Sequence, residues 1–343
     1  MENKYYNFDP SVDMDKRTNL EIELLLEAVF KLSGFDFRQY ARTSIYRRIC
    51  NRMQLSNIPT ISKLIEKVIH EEGFLEQLLN DFSINVTEMF RNPNFFKALR
   101  EHVIPELKKY PEIRIWHAGC ATGEEVLSMS ILLHEEGLSE KAVIYATDMN
   151  TDVLEKAKQA ILPLNKMQTY TKNYLQAGGT QAFSNYYSTD NRFAYFNPSL
   201  LQNIIFAQHN LVTDQSFNEF HIILCRNVLI YFTSKLQNQV QQLFYESLGH
   251  NGFLCLGNKE TLRFSHIMPH YIQFNPNEQI YQKIDGVLEA IANDEFESEE
   301  KLRAFTERKW GDLEGEIEGF YKEEQKKAQS DDMCLIMIQT NAK

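Results

Sequence analysis

The residues of this chain best placed for chemistry sit where short apolar runs end. "RIWHAGCATGEEVLSMSILL", beginning at Arg114, reads as strand, glycine turn and helix, with Gly119 and Gly123 bracketing the bend and helical periodicity from Glu125 to Leu133. A doubly wound α/β sheet opens a nucleotide site in this way. The helix nevertheless begins with two carboxylates, Glu124 and Glu125. They would repel a pyrophosphate, although a helix N-terminus by itself favours anions. A nucleoside-like ligand with cationic character suits such a turn. Asp148 ends the next strand, where an acid accepts hydrogen bonds from a ribose diol. Its competing role is to cap the following helix with Asn150 and Thr151.

Three further groups belong to the same reading. Arg226 and Asn227 follow a buried strand, His221 to Cys225 in "FHIILCRNVLIYF", at the edge where open α/β sheets bind ligands. An arginine beside five apolar residues either finds a partner or leaves the sheet for solvent, because burying it alone is costly. Asn210 closes another strand at that edge and, taken alone, reads as an Asx turn. In "NVTEMFRNPNFF", Asn85 or Thr87 is a candidate helix cap, and Arg91 would then share a helical face with Thr87. "FRQYARTSIYRRICNRM" carries Arg38, Arg42, Arg47, Arg48 and Arg52. On one continuous helix, all but Arg47 fall within roughly 120° of arc. That face either grips an acidic partner or pairs with acids of the chain itself.

The elements that must position these residues follow from pattern and composition. The chain has 343 residues, 43% hydrophobic and 24% charged, enough for two or three domains with a sizeable core. Its net charge of −11 argues against bulk nucleic-acid binding. No run of 18 apolar residues suggests a membrane span, and the first residues lack an apolar signal core, so the expected location is cytoplasmic. The five cysteines are scattered without a CxxC pair, which fits a reducing compartment. His266 and His270 are separated by Pro269 and give no metal site, and no HExxH is present. Residues 1–82 read as a helical domain. Strands and helices alternate through 83–285, implying a mostly parallel sheet covered by helices. Periodicity lapses over about 170–203, an insertion with small strands of its own. Residues 286–343 form an acidic helical extension with a short apolar end.

Taken in order, "FRQYARTSIYRRICNRM", "INVTEMFRNPNFF", "RIWHAGCATGEE", "IYATDMNTDVLEKAKQAIL", "IFAQHNL" and "ILCRNVLIYF" resemble the CheR-type chemotaxis receptor methyltransferase family. The resemblance spans roughly Leu20 to Ile284. It implies a helical N-terminal domain, a Rossmann-like S-adenosylmethionine-dependent domain with a small inserted β-subdomain, and methyl-ester formation on glutamates of chemoreceptor cytoplasmic helices. Family binding positions carry over to Asn85, Thr87, Arg91, Gly119, Glu125, Asp148, Asn210, Leu211, Arg226 and Asn227, with S-adenosylhomocysteine as product and no metal. Arg91 is expected to orient the substrate carboxylate and Tyr231 to shape the path of the methyl group. Arg38, Arg42, Arg48 and Arg52 are the expected receptor contacts. A monomer is expected, without nucleic acid and without membrane insertion.

The chain departs from the family pattern at Val126-Leu127, where Pro-Tyr is usual. It departs again at Gly257–Glu260, "GNKE" where the family has "GHSE", which puts the role of that loop in doubt. Some members dock a receptor pentapeptide on the insertion; the residues here do not decide that. "QSDDMCLIMI" resembles the closing Asp-Asp strand of metal-dependent serine phosphatases, but no companion motif is present. The alternatives are a methyltransferase on another protein substrate, and a non-catalytic module that senses S-adenosylmethionine and signals through the acidic tail. Nucleic-acid amino-methyltransferases commonly carry an Asn/Asp-Pro-Pro-aromatic loop where this chain has "CRNVLIYF".

Overall fold

The computed structural model of the chain describes residues 15–83 and 86–284. Asn85 and the extension 286–343 therefore lie outside the described residues. Four helices come first: α1 (Lys16–Ser33), α2 (Arg42–Leu55), α3 (Ile61–His70) and α4 (Phe74–Phe82). Asp15 caps α1 by accepting the Thr18 N–H at 2.8 Å. Ile22, Leu25, Leu26 and Val29 recur at helical spacing and pack against Ile45, Ile49, Leu64, Val68, Leu78 and Phe82 in one apolar core.

The basic segment is not one helix. α2 begins only at Arg42, because Tyr40 forms an antiparallel bridge with Phe232 and the Gln39 carbonyl accepts the Thr233 N–H at 2.9 Å. Arg38 sits in the turn before it and leaves the expected arc. The helix expected over Thr87–Arg91 is also absent. Phe90 and Asn92 adopt left-handed φ of 50° and 55°, which interrupts any helical path. α5 (Pro93–Ala98) starts after them with proline in its first turn, and continues through a π turn (Leu99–Val103) into α6 (Ile104–Leu107).

The sheet region then runs β1 (Ile113–Ala118), α7 (Glu124–Glu135), β2 (Ala142–Asp148) and α8 (Thr151–Gln159). After these come β3 (Ile161–Pro163), α9 (Met167–Gln176), β4 (Tyr187–Thr189) and β5 (Phe193–Phe196). The chain closes with β6 (Ile204–Gln208), β7 (Phe220–Cys225), α10 (Ser234–Ser247), β8 (Leu248–Leu256), β9 (Tyr271–Asn275) and β10 (Ile280–Lys283). Seven strands form one sheet in the order β6-β2-β1-β7-β8-β10-β9, parallel from β6 to β8, with β10 and β9 antiparallel. This is the expected doubly wound, mostly parallel α/β sheet. Alternate residues divide each central strand between two cores. Ile113, Ile115, Ile222 and Leu224 face the α7 side, whereas Trp116, Ala118, Ile223 and Cys225 face the α10 side. The strand order reverses between β1 and β7, which leaves a crevice at their carboxyl ends.

The inserted three-stranded sheet, β3-β5-β4, begins earlier than the expected residue 170. Ala160 takes a left-handed turn (φ 50°) and diverts Ile161 and Leu162 from α8 into β3. β9 was not legible as a strand. No helix among the described residues is long and apolar enough to cross a membrane.

Candidate active site

Two adjoining chambers of about 620 and 460 Å³ open at the crevice and share Gly119, Asn227 and Val228. Gly119 follows β1 at φ 76°, and a Cβ there would lie 2.7 Å from Val228 Cγ2. The backbone therefore turns through a left-handed conformation against the wall of the crevice. Gly119 and Cys120 donate to the Thr147 carbonyl at 2.8 and 2.9 Å, which ties the turn to the end of β2.

Asp148, Met149, His209, Asn210, Leu211, Tyr40 and Tyr231 line the larger chamber. One Asp148 oxygen accepts the Ala121 N–H at 2.9 Å and the other the Asn150 N–H at 3.0 Å. Burial pushes its carboxyl up, against the pull of those N–H groups. It is Asn150, not Asp148, that caps α8, by accepting the Asp152 N–H at 2.9 Å. Asp148 is thus spared for the chamber. Asn210 makes the expected Asx turn, its Oδ1 accepting the Val212 N–H at 3.0 Å. Its own N–H donates to Asp214 at 2.8 Å. The Tyr40 ring packs on Phe232 with centroids 4.9 Å apart, and its hydroxyl reaches Met149 Sδ at 3.7 Å. Burial first, and then the charge of Asp148, raises the Tyr40 phenol.

Thr87, Arg91, His117, Glu125 and Arg226 line the smaller chamber. Only one of the paired acids faces it. Glu124 is buried elsewhere, accepts the Thr122 hydroxyl at 2.6 Å, and has its carboxyl pushed up by burial. Glu125 accepts Arg226 Nη1 at 2.7 Å, and His117 Nδ1 lies 3.5 Å from its other oxygen. Burial would raise the Glu125 carboxyl, but the Arg226 charge and the His117 contact hold it at about 2. The smaller chamber therefore presents not two bare carboxylates but one matched pair. Arg226 also donates to Asn92 Oδ1 at 3.0 Å and stacks 3.9 Å over the Phe95 ring, so it is a partnered arginine rather than a solvent one.

Thr87 and Arg91 reach the chamber from an irregular segment that is pinned on two sides. The Phe90 N–H donates to Ser128 Oγ of α7 at 2.9 Å, and Asn173 of α9 donates to the Met89 carbonyl at 3.0 Å. Arg91 itself donates only weakly, to the Val86 carbonyl at 3.3 Å. Its guanidinium stays available toward the chamber.

The other sequence-derived arginines divide. Arg38 pairs with Asp36 at 2.8 Å and Glu27 at 2.9 Å, and Arg42 with Glu23 at 3.1 Å. Arg52 pairs with Asp81. A docking partner would have to displace these internal acids. Arg48 donates to the Asp81 carbonyl at 3.0 Å, and its guanidinium lies 5.8 Å from the centre of the Tyr231 ring. Pattern reasoning missed Tyr40, Met149, His117, His209 and Glu260. Tyr40, Met149 and His209 adjoin motif residues and reach the site only through tertiary contacts, whereas Glu260 carried a signal, the acid that ends "GNKE".

Residues 85–275 match the family model "CheR methyltransferase, SAM binding domain", and residues 20–83 match "CheR methyltransferase, all-alpha domain". The chain is 45% identical over 269 residues to a Pseudomonas putida protein bearing the name methyltransferase Cher3, covering 78% of this chain and 98% of that one. It is 28% identical over 231 residues to the chemotaxis protein methyltransferase of Listeria monocytogenes, covering 67% and 85% of the two chains. Against that of Escherichia coli it is 27% identical over 248 residues, covering 70% and 83%.

Proposed function

The chain belongs to the CheR methyltransferase family, and from that premise we propose that it methylates glutamate side chains on the cytoplasmic helices of chemoreceptors. The observation that carries this reading is the pair of chambers joined at Gly119 and Asn227, one lined by Asp148 and Asn210, the other by Arg91 and the Glu125–Arg226 pair.

The donor set fits S-adenosylmethionine. Asn227 Oδ1 is a buried acceptor without a partner among the described residues. Asp148 is engaged by the Ala121, Asn150 and Met149 N–H groups, fewer than the roughly four its two oxygens can accept, which leaves a lone pair for a ribose hydroxyl. Asn210 and Leu211, which line the larger chamber, would flank the adenine, while Thr87, Glu125, Arg226 and Asn227 would hold the zwitterionic methionine end. Asn85 belongs to the same family set and lies outside the described residues. The bound cofactor supplies an electrophilic methyl group.

This chain's own residues need do little acid–base chemistry, because a free glutamate has a pKa of about 4.3 and is ionised at neutral pH. Arg91 orients that carboxylate, and Tyr231, backed by Arg48, shapes its approach. Their contribution is alignment and exclusion of water, for which effective molarities of roughly 10⁵ M or more are attainable.

Calorimetric titration with S-adenosylhomocysteine, followed by transfer of labelled methyl to a receptor cytoplasmic fragment, tests both halves. Wild type should bind saturably and form base-labile esters. Asp148→Ala should lose binding. Arg91→Ala should keep its fold while losing about 100-fold or more in kcat/KM, equivalent to about 2.7 kcal/mol of transition-state stabilisation. Near-normal turnover in Arg91→Ala would remove its assigned role, and binding without ester formation would mean another substrate.

A further inference from the structure

Glu260 is a buried carboxylate that the reaction outlined above does not use. It is 5% exposed, yet the backbone N–H groups of Asn227, Gly257, Leu229 and Ile230 converge on it. Oε2 accepts from Asn227 at 2.8 Å and from Gly257 at 2.6 Å, and Oε1 accepts from Ile230 at 3.3 Å. No cation among the described residues pairs with it. Burial raises its carboxyl, against the pull of those N–H groups, so the protein keeps an acid where an acid is costly.

What this carboxylate satisfies is specific. Asn227 sits at a left-handed φ of 62°, between Arg226 of the matched pair and the Leu229–Tyr231 turn, and is part of no helix or strand. Buried backbone donors without a ladder partner need another acceptor. For Asn227 and Ile230 that acceptor is Glu260. The approach is close enough to dictate the neighbouring residue: a Cβ on Gly257 would lie 2.7 Å from Glu260 Oε2 and 2.8 Å from the Asn227 nitrogen. From the opposite side, the Ala41 N–H donates to the Tyr231 carbonyl at 2.8 Å. The loop that carries Arg226, Asn227 and Tyr231 is thus clamped between the helical domain and the "GNKE" turn.

We propose that Glu260 is a positioning residue for methyl transfer: it fixes the Arg226–Tyr231 loop so that Asn227 and Tyr231 face the two chambers. What Tyr231 does in transfer rests on the proposed function; the effect on cofactor binding does not.

The full chain is compared as wild type, Glu260→Ala, Glu260→Gln and Val240→Ala. The last truncates a buried residue of α10 outside both chambers and serves as a purely destabilised control. Thermal midpoint, affinity for S-adenosylhomocysteine by calorimetry, and kcat and KM on a receptor fragment are measured. Glu260→Ala should lose at least about tenfold in affinity and in kcat, with the receptor KM little changed. Glu260→Gln should fall between, since an amide keeps one acceptor oxygen but turns a donor toward a backbone N–H. Val240→Ala should lower the midpoint and leave affinity intact. Wild-type affinity in Glu260→Ala, or an equal loss in Val240→Ala, overturns the proposal. If Glu260→Ala does not fold, unchanged affinity in Glu260→Gln overturns it. Wild type that binds S-adenosylhomocysteine but esterifies no receptor glutamate defeats the substrate reading and leaves Glu260 to be judged on affinity.

Discussion

Arg226 and Glu125 set the chemistry of the smaller chamber, and their pairing has a consequence in pH. The folded-state pKa of Glu125, about 2, lies below the ordinary 4.5 for a glutamate. A depressed acid stabilises the fold above its unfolded pKa and loses that contribution as pH falls through the folded value. The window is therefore about pH 4.5 down to about 2, and the shift corresponds to about 3 kcal/mol. Asp148 and Glu260 act with the opposite sign: their raised carboxyls are relieved as they protonate, so they soften the acid limb. Urea unfolding as a function of pH should show a steep acid decline in wild type and a shallower one in Glu125→Gln, which is less stable at neutral pH because Arg226 is left buried and unpaired. Identical acid slopes in the two proteins would contradict this assignment. That Arg226 needs a partner was legible from its place after a buried strand. That the partner is Glu125, 101 residues earlier, was not.

Among the elements, the turn from β1 to α7 is the most constrained. Gly119→Ala must adopt a left-handed backbone, at a cost of about 1–2 kcal/mol, and must also displace Val228. We expect a lower thermal midpoint and weaker S-adenosylhomocysteine binding together, because Val228 lines both chambers. An alanine variant that binds as tightly as wild type would show the turn to be tolerant. The strand–turn–helix reading of this stretch held because alternation, glycine spacing and helical period agree locally. The readings that failed were also local, but another part of the chain overrode them. α2 starts late because Tyr40 is drawn to Phe232, and the Thr87–Arg91 segment is held irregular by Ser128 and Asn173.

At the scale of the molecule, the helical domain and the sheet domain build the site together. Tyr40, Phe82 and Ser83 line the larger chamber from the helical side, and Asn80 bonds Asn150 at 2.9 Å and Asp152 at 3.0 Å at the start of α8. Residues up to Ile284 form one compact unit. A chain ending at Ile284 should therefore bind S-adenosylhomocysteine within about threefold of the full chain and unfold in a single cooperative transition. Loss of binding on truncation would instead make the acidic extension part of the cofactor site, whereas under the sensing alternative truncation costs the protein its signalling partner.

The alternation of strands and helices, the glycine turn, the acid at the end of β2 and the order of the family motifs are all legible in the sequence. Each of these is written in short-range periodicity or in residue types that only one backbone conformation suits. Which acid lines the smaller chamber, which arginines pair with internal acids, and what holds the Asn227 loop follow only from the tertiary structure. Those outcomes depend on groups far apart in the chain competing for the same partner. Burial settles such competition, because a charge or an N–H withdrawn from water must take whichever acceptor the fold brings to it.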